Sequence, residues 1–308
     1  MKLTIKEIGE VKEIPLPSIA VDSNDKAHIV YNYKKSENKF DLRYCNNTGG
    51  EFSCITLEET DNSQSTLIVI DSKDNIHMVH TNRPPKPDDR EVKYRSKVSG
   101  EWKINIMPKG MRFGGRPSIA IDSNNKVHIG YNKNHILGEI NYCSGDIYGN
   151  FDCLSIEKGY MLPIAVDSKD NVQILFRPSV DQFKTKYCIK EDNGQFGCEE
   201  LPLTQISVNV ETDHYDRPHL FFLDENEGEN EEEDEWYDLK TKYCIKFHGK
   251  FYRDQFLIEN IYEGFLQTST KKHKSEESDI KYIHGLIMNS TSTNQGKLYY
   301  WRDEIISN

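Results

Sequence analysis

The strongest constraint on the fold of this 308-residue chain is that it contains one phrase several times. Residues 17–32 read PSIAVDSNDKAHIVYN, residues 117–132 read PSIAIDSNNKVHIGYN, and related phrases begin at Ser65, Pro163 and Ile206. A period of roughly 40 to 50 residues is typical of repeat folds, in which each unit buries its apolar faces only against its neighbours. The chain is therefore predicted to stack copies of one unit.

Each copy has the pattern of two β-hairpins. The first consists of alternating apolar residues, a polar turn such as SNDK or SKDN, and a second alternating run. The second places a glycine shortly before the aromatic residue that opens its return strand, as in LRYCNNTGGEFSCITL. Four short antiparallel strands per copy are typical of a β-propeller blade. We call the end of the blades that carries the first-hairpin turns the turn end, and the opposite end the loop end.

The two chain ends together supply a sixth copy. His284 stands sixteen residues before Tyr300, which is the spacing between His28 and Tyr44. This copy lacks an outermost strand, and the N-terminal segment can supply it and so remove an exposed sheet edge. We therefore predict an all-β fold, a six-bladed β-propeller with four antiparallel strands per blade, closed by the N-terminal strand. A single domain is predicted over residues 1–308, with blades near 15–58, 64–107, 116–157, 162–202, 205–259, and 264–308 plus 1–14.

The repeat phrases resemble those of known propeller families. SIAVDS followed by HIVY resembles the repeats of bacterial sialidase-like (BNR-type) propeller proteins, and P-x-x-A-V-D-S is similar to the inner strand of NHL-repeat propellers. This resemblance covers nearly the whole chain and implies an architecture, not an activity. The copies lack the S-x-D-x-G-x-x-W box of sialidases and the Arg-Ile-x-x-Phe ending typical of NHL repeats. No catalytic residue is therefore carried over from either family.

Histidine and tyrosine recur at fixed positions of the second and third strands. A ring of metal ligands, or the His and Tyr pair used by polysaccharide lyases, would need such residues. A residue that recurs in every blade is instead expected to serve the blade, because a buried imidazole must form hydrogen bonds with a turn aspartate or a tyrosine hydroxyl. We predict a structural role at the turn end for His28, His77, His128, Gln173, His219 and His284, with Tyr44, Tyr94, Tyr142, Tyr187, Tyr243 and Tyr300 and with Asp22, Asp71, Asp122 and Asp167.

Six of the seven cysteines form pairs that flank the turn between the third and fourth strands. Blade two replaces both positions, with Arg95 and Ile104, so the cysteines are present or absent together. This covariation within the repeat predicts disulfides, and three disulfides favour an oxidising compartment, extracellular or periplasmic. Reduced, packed thiols are the alternative, and the intervening eight or nine residues argue against zinc. The predicted pairs are Cys45 with Cys54, Cys143 with Cys153, and Cys188 with Cys198.

The seventh cysteine, Cys244, stands opposite Arg253 in blade five and is predicted to be a free thiol or an intermolecular link. Sequons at Asn46 and Asn289 fit a secreted eukaryotic protein, and chance explains them equally well in an Asn-rich chain.

Charge and hydropathy exclude several functional classes. The chain has a net charge of −11, which argues against affinity for nucleic acid or anionic membranes. Its apolar runs are too short to predict a membrane span or a signal peptide. Nine carboxylates lie in the acidic run 224–235. That run is predicted to be a solvated excursion, with docking of a basic partner or weak Ca²⁺ binding as the functional alternatives; no other cofactor or metal is predicted.

Ligand recognition is expected at the loop end, because the loops between second and third strands and between blades differ sharply from copy to copy. Such dissimilar loops favour one asymmetric site over several identical ones. Arginine recognises carboxylate or sulfate with two parallel hydrogen bonds, and aromatic rings stack on sugars or peptide side chains. The candidate ligand-binding residues are Arg83, Arg112, Phe113, Arg116, Tyr160, Arg177, Trp236 and Tyr262.

We predict a non-enzymatic recognition propeller that binds a glycan, in particular an anionic one, or a protein ligand at the loop end. A carbohydrate-active enzyme, either a polysaccharide lyase or a glycoside hydrolase, is one alternative. His135, Tyr160, Tyr262 and Glu263 could supply its acid and base. A structural scaffold in a larger assembly is the other alternative.

Overall fold

The computed structural model describes the repeats of the chain and the strands at both ends. Side chains are described between 17 and 201 within these ranges, except at 133, 161 and 162; the other strands are described by their backbone. The described residues form no helix, and hence none able to cross a bilayer. The described residues are 4–12, 17–37, 39–61, 65–81, 91–98, 100–107, 117–133, 138–178, 185–191, 193–201, 206–212, 218–225, 239–247, 250–254, 267–271, 280–291 and 295–306.

The described strands form six antiparallel sheets of four strands each. The first strand, β1 (Thr4–Lys12), belongs to the last sheet. Sheet 1 contains β2 (Ser18–Val21), β3 (Ala27–Ser36), β4 (Lys39–Asn46) and β5 (Ser53–Thr60). Sheet 2 contains β6 (Thr66–Ile70), β7 (Ile76–Thr81), β8 (Val92–Val98) and β9 (Glu101–Ile106). Sheet 3 contains β10 (Ser118–Ile121), β11 (Val127–Lys133), β12 (Glu139–Gly145) and β13 (Phe151–Lys158).

The remaining three sheets follow the same order along the chain. Sheet 4 contains β14 (Tyr160–Val166), β15 (Val172–Arg177), β16 (Thr185–Lys190) and β17 (Phe196–Leu201). Sheet 5 contains β18 (Ile206–Thr212), β19 (Pro218–Glu225), β20 (Leu239–Phe247) and β21 (Lys250–Asp254). Sheet 6 contains β22 (Gln267–Lys271), β23 (Ile280–Thr291), β24 (Gln295–Ile306) and β1, with Thr4 opposite Arg302 and Lys12 opposite Gln295. The N-terminal segment therefore pairs with the last strand of the chain.

The polar turns between first and second strands owe their sequence to backbone geometry. Asp25, Asp74, Asn125 and Asp170 have φ between 61° and 65°, the left-handed region that Asn and Asp tolerate better than other side chains. The aspartate that opens each turn accepts two backbone N–H groups, as Asp22 does from Asn24 at 2.9 Å and from Lys26 at 2.8 Å. The SNDK and SKDN patterns thus encode one turn conformation.

Consecutive sheets are joined by contacts that repeat along the chain. At the turn end, Ser23 donates its N–H and hydroxyl to Asp74 at 2.8 and 2.6 Å, and Ser123 donates likewise to Asp170. Further out, Tyr44 packs edge-on against Trp102 of the next sheet with ring centroids 5.4 Å apart. Tyr94 with Phe151, and Tyr142 with Phe196, repeat this contact. In sheets 2, 3 and 4 the aromatic residue at the start of the fourth strand therefore packs on the preceding sheet.

Three disulfides join the predicted cysteine pairs, Cys45–Cys54, Cys143–Cys153 and Cys188–Cys198. In each pair the two residues face each other in adjacent third and fourth strands. In sheet 2 the same register places Arg95 opposite Ile104, and in sheet 5 it places Cys244 opposite Arg253. The disulfides therefore tie the outer hairpins of sheets 1, 3 and 4.

Candidate functional site

Two of the eight predicted ligand-binding residues, Tyr160 and Arg177, lie among the described residues. The acidic run lies outside them beyond Glu225, so Ca²⁺ binding or a basic partner there stays a prediction. His135, Tyr262 and Glu263, named for the enzymatic alternative, also lie outside the described residues. So do the other six ligand-binding candidates, Arg83, Arg112, Phe113, Arg116, Trp236 and Tyr262.

Tyr160 and Arg177 face each other directly at the loop end of sheet 4. They are register partners in β14 and β15, so their side chains project from the same face of the sheet. Arg177 is 7% exposed, and Tyr160 is partly buried. The register thus brings together an arginine and a tyrosine, the combination that the sequence suggested for an anionic glycan.

A glycine sets this arrangement. A Cβ at Gly159 would lie 2.7 Å from the carbonyl oxygen of Arg177, so only glycine lets the chain entering β14 come this close to the end of β15. Asn132 of sheet 3 donates its side-chain amide to the Gly159 carbonyl, and the Gly159 N–H donates to the Gly138 carbonyl at 3.1 Å. Hydrogen bonds to sheet 3 therefore hold the chain at Gly159, directly before Tyr160, the first residue of β14 and the register partner of Arg177.

The position occupied by Arg177 is buried and polar in four consecutive sheets. Asn32, Thr81, Asn132 and Arg177 each follow the recurrent His or Gln by four residues, and all four are buried. Thr81 forms two hydrogen bonds with Ser65. Its hydroxyl accepts the Ser65 N–H at 3.2 Å, and its own N–H donates to the Ser65 carbonyl at 3.1 Å.

The equivalent positions in sheets 5 and 6 carry apolar residues, Leu223 and Met288. Leu223 is the register partner of Ile206, so an apolar pair occupies the place of Tyr160 and Arg177 in the next sheet. This one position is therefore polar in sheets 1 to 4 and apolar in sheets 5 and 6.

The sequence reasoning missed a buried ionic cluster between sheets 1 and 2. Glu58 accepts Lys93 at 2.9 Å and Arg95 at 2.6 Å, and His80 lies opposite Lys93. Burial, then the charges of Arg95 and Lys93, hold the pKa of His80 well below its usual value. The sequence carries one signal for His80: it occupies a repeat position that is aromatic in sheets 1, 3 and 4, as Tyr31, Tyr131 and Phe176.

Three of the recurrent histidines have the partners that the sequence predicted, at the turn end; the side chains of His219 and His284 lie outside the described part of the chain. His28, His77 and His128 each contact a tyrosine hydroxyl through Nδ1 at 2.6 to 2.7 Å and a turn aspartate through Nε2 at 3.2 to 3.3 Å. Burial lowers the pKa of all three histidines and raises that of Tyr142 to about 12. Neutral imidazoles beside protonated phenols suit a structural role. Among the described residues, no group of three or more His, Cys, Asp or Glu could hold a metal ion.

These histidines predict a pH dependence of stability. Because burial depresses the pKa of His77 below 6.5, the unfolded chain binds a proton that the folded chain excludes. Folding stability should therefore be full above pH 6.5 and fall as the pH drops below it, by up to about 1.4 kcal/mol per pH unit for each such histidine.

His77→Gln, the residue that sheet 4 uses at this position, should be less stable than wild type at pH 8 but lose less stability on acidification. Urea unfolding at a series of pH values measures both quantities. A variant whose pH slope equals that of wild type would contradict the assignment of the slope to His77.

Comparison with known proteins identifies a fold and no family. No known protein family matches the chain, and no curated protein matches it. Solved structures do. An ulvan lyase of polysaccharide lyase family 25, bound to -[GlcA(1-4)Rha3S]-, is 11% identical with a TM-score of 0.58 and covers 98% of this chain and 86% of its own. An Aleuria aurantia lectin in complex with Fucα1-6GlcNAc is 8% identical with a TM-score of 0.65, covering 97% and 96%.

A Streptococcus pneumoniae sialidase is 10% identical with a TM-score of 0.57, covering 97% of this chain and 69% of its own. At such low identity these similarities show the fold alone. Together with the four-stranded antiparallel sheets, they identify an all-β, propeller-type architecture.

Proposed function

We propose that this chain is a single six-bladed propeller domain that binds a glycan at its loop end without turning it over. The pairing of β1 with β24 supports closure of the ring. So do the contacts between the innermost strands, in which β2 meets β6, β6 meets β10, β10 meets β14, β14 meets β18, β18 meets β22, and β22 meets β2. In a ring closed in this way, every innermost strand lies between the innermost strands of the two adjacent sheets.

The observation that carries the functional proposal is the Tyr160 and Arg177 pair in an asymmetric loop end. A guanidinium recognises a carboxylate or sulfate with two parallel hydrogen bonds, and a phenol ring supplies a flat apolar surface for a sugar ring. A single site of this kind suits one anionic glycan better than a set of identical pockets. Arg83, Arg112, Phe113, Arg116, Trp236 and Tyr262 are proposed to complete the same surface.

The similar structures support a glycan as the ligand class. The lectin is bound to a disaccharide and the lyase to -[GlcA(1-4)Rha3S]-, and each alignment covers nearly all of this chain. Three disulfides support a location in an oxidising compartment, and we propose that the protein acts outside the cell or in a periplasm.

A carbohydrate-active enzyme is the second candidate, favoured by the similarity to a lyase and a sialidase. Catalysis would need an acid and a base in one pocket, for which Tyr160 is available with His135, Tyr262 and Glu263. Product analysis distinguishes this candidate from recognition, since a lyase releases unsaturated uronates and a hydrolase releases new reducing ends.

We expect the protein to bind an acidic polysaccharide on a glycan array and to release no product from it. Arg177→Lys should weaken binding by roughly tenfold, because lysine keeps the charge but loses the planar fork. Tyr160→Ala should weaken binding to a similar extent through loss of stacking. Lys169→Ala, at the exposed turn end, is the matched control and should bind like wild type.

Titration of the array hits by calorimetry measures these changes, and circular dichroism checks that each variant folds. Product release from a bound polysaccharide would transfer the proposal to the enzymatic candidate. Unchanged affinity in both Arg177→Lys and Tyr160→Ala would place the ligand elsewhere.

A further inference from the structure

The outermost strand of sheet 2, β9, departs from the pattern of its counterparts. In sheets 1, 3 and 4 the outermost strand carries the second cysteine of a disulfide and at least two carboxylates, as Glu58 and Glu59 in β5. In β9, which reads EWKINI, Ile104 takes the cysteine position and Glu101 is the one carboxylate. This position varies between copies, with Ile104 in sheet 2, Arg253 in sheet 5 and Ile5 in sheet 6, so it serves no requirement common to all blades and can take a specific role in one of them.

This strand exposes large apolar side chains at the edge of its sheet. Ile104 is 50% exposed and Ile106 is 61% exposed, and both project from the same face as Trp102 because side chains alternate along a strand. Within the described strands, β8 is the one ladder partner of β9, so its other edge faces outward. Exposed edges are commonly guarded by charged residues, whereas residues 104–106 of β9 carry no charge.

The backbone of β9 is arranged to accept another strand. The disulfide-bonded pairs have Cα atoms 4.0 to 4.1 Å apart, the short spacing of antiparallel pairs that exchange no backbone hydrogen bonds. Ile104 and Arg95 occupy the same register position, so the N–H and C=O of Ile104 point away from β8. Trp102 and Ile106 share this orientation by the period of two, while the Met107 N–H points inward and donates to the Val92 carbonyl at 2.9 Å.

We propose that β9 pairs antiparallel with β9 of a second copy of this chain, about a two-fold axis at Ile104. In this register Ile104 faces its own counterpart and Trp102 faces Ile106 of the other copy. All three are residues whose backbone groups point to the outer edge, so each pair exchanges two N–H···O bonds. The apolar side chains meet on one face, and Lys103 faces Asn105 on the other, which keeps the two lysines apart.

The occupant is a second copy because this self-pairing sets apolar side chains against apolar side chains, leaves no like charges directly opposite each other, and meets the outward backbone groups of Ile104 with their own counterparts. Ile55 of β5 is 51% exposed and projects toward sheet 2, since it lies opposite Tyr44, which packs on Trp102 of that sheet. It would extend the shared apolar strip. Antiparallel pairing would also point the two loop ends in opposite directions along β9, so a dimer could hold two glycan chains at once.

Sedimentation analysis of the full chain over a concentration series tests the proposal, and we expect a monomer–dimer equilibrium. Ile104→Lys places two like charges at the two-fold axis and should raise the dimer dissociation constant by at least about tenfold. Leu154→Lys is the matched control, because Leu154 is a half-exposed residue of the outermost strand of sheet 3. This control should dimerise like wild type.

A crosslink tests the register. In a Cys244→Ser background, Ile104→Cys should form a covalent dimer on oxidation that reductant reverses, whereas Lys103→Cys should not, because Lys103 does not face its counterpart. A wild-type chain that stays monomeric would overturn the proposal, as would a dimer that survives Ile104→Lys. Equal loss of the dimer in both lysine variants, or equal crosslinking of both cysteine variants, would overturn the register.

Discussion

Replacement of Glu58 by alanine is expected to lower the free energy of unfolding by about 3 kcal/mol, because it leaves a buried guanidinium without its counter-ion. The side chain of Arg95 is 5% exposed and that of Glu58 is 22% exposed. Burial lowers the pKa of Arg95, and the nearby carboxylate of Glu58 opposes that shift. Without the Glu58 carboxylate, the Arg95 guanidinium still pays the free-energy cost of desolvation but loses the electrostatic attraction that offsets this cost.

The local backbone explains why Glu58 reaches into the neighbouring sheet. The pairing of β4 with β5 shifts register where Leu42 lies opposite Glu58 and Arg43 lies opposite Thr56, so Leu57 is an extra residue. Such a bulge turns two consecutive side chains toward one face. Leu57 packs against the core shared by sheets 1 and 2, and Glu58 meets Lys93 and Arg95.

Urea denaturation of Glu58→Ala and wild type measures this effect. Glu59→Ala is the matched control, since Glu59 pairs with Lys35 at the surface and its removal should change stability little. A double variant, Glu58→Ala with Arg95→Met, should recover much of the lost stability because it removes the buried charge as well. If Glu58→Ala and Glu59→Ala cost the same, the buried cluster contributes nothing specific.

The features that recur were predictable from the sequence, because a repeat presents the same physical requirement several times. The hairpins followed from period two and from turn residues that tolerate positive φ, as at Asp25. The partners of His28, His77 and His128 followed from the need of a buried imidazole for hydrogen bonds. The cysteine pairs followed from the joint presence of both cysteines in sheets 1, 3 and 4 and their joint absence from sheet 2.

The features that occur once were not predictable. Glu58 reaches Arg95 only because a bulge reorients its side chain. In the sequence, the repeat alignment shows only that Arg95 occupies a position where other copies have cysteine. Tyr160 and Arg177 were both expected at the loop end, but their direct pairing depends on a register shift between Met161 and Ile164. Bulges and close approaches between sheets, such as that at Gly159, leave no periodic trace in a sequence.

Reduction of the three disulfides is expected to destabilise the fold by up to several kcal/mol and to lower the melting temperature by about 10 °C. Each bridge closes a loop with a sequence separation of 9 or 10 residues, worth at most about 2.5 kcal/mol in the chain-entropy model. Thermal unfolding with and without reductant measures the effect. A variant with all six paired cysteines changed to alanine is the control. Its melting temperature should equal that of reduced wild type and should not change when reductant is added.

The same bridges make a prediction about the thiols of the purified protein. Of the seven cysteines, six are bonded in pairs, so thiol labelling followed by mass spectrometry should find one modified residue, Cys244. Because the bridges bond third strands to fourth strands and leave sheet 2 without one, reduction should release the hairpins of sheets 1, 3 and 4 first. Hydrogen exchange should therefore rise in β5, β13 and β17 on reduction and stay unchanged in β9. Labelling of all seven cysteines in protein purified without reductant would contradict both the predicted loss of stability on reduction and the proposed oxidising compartment.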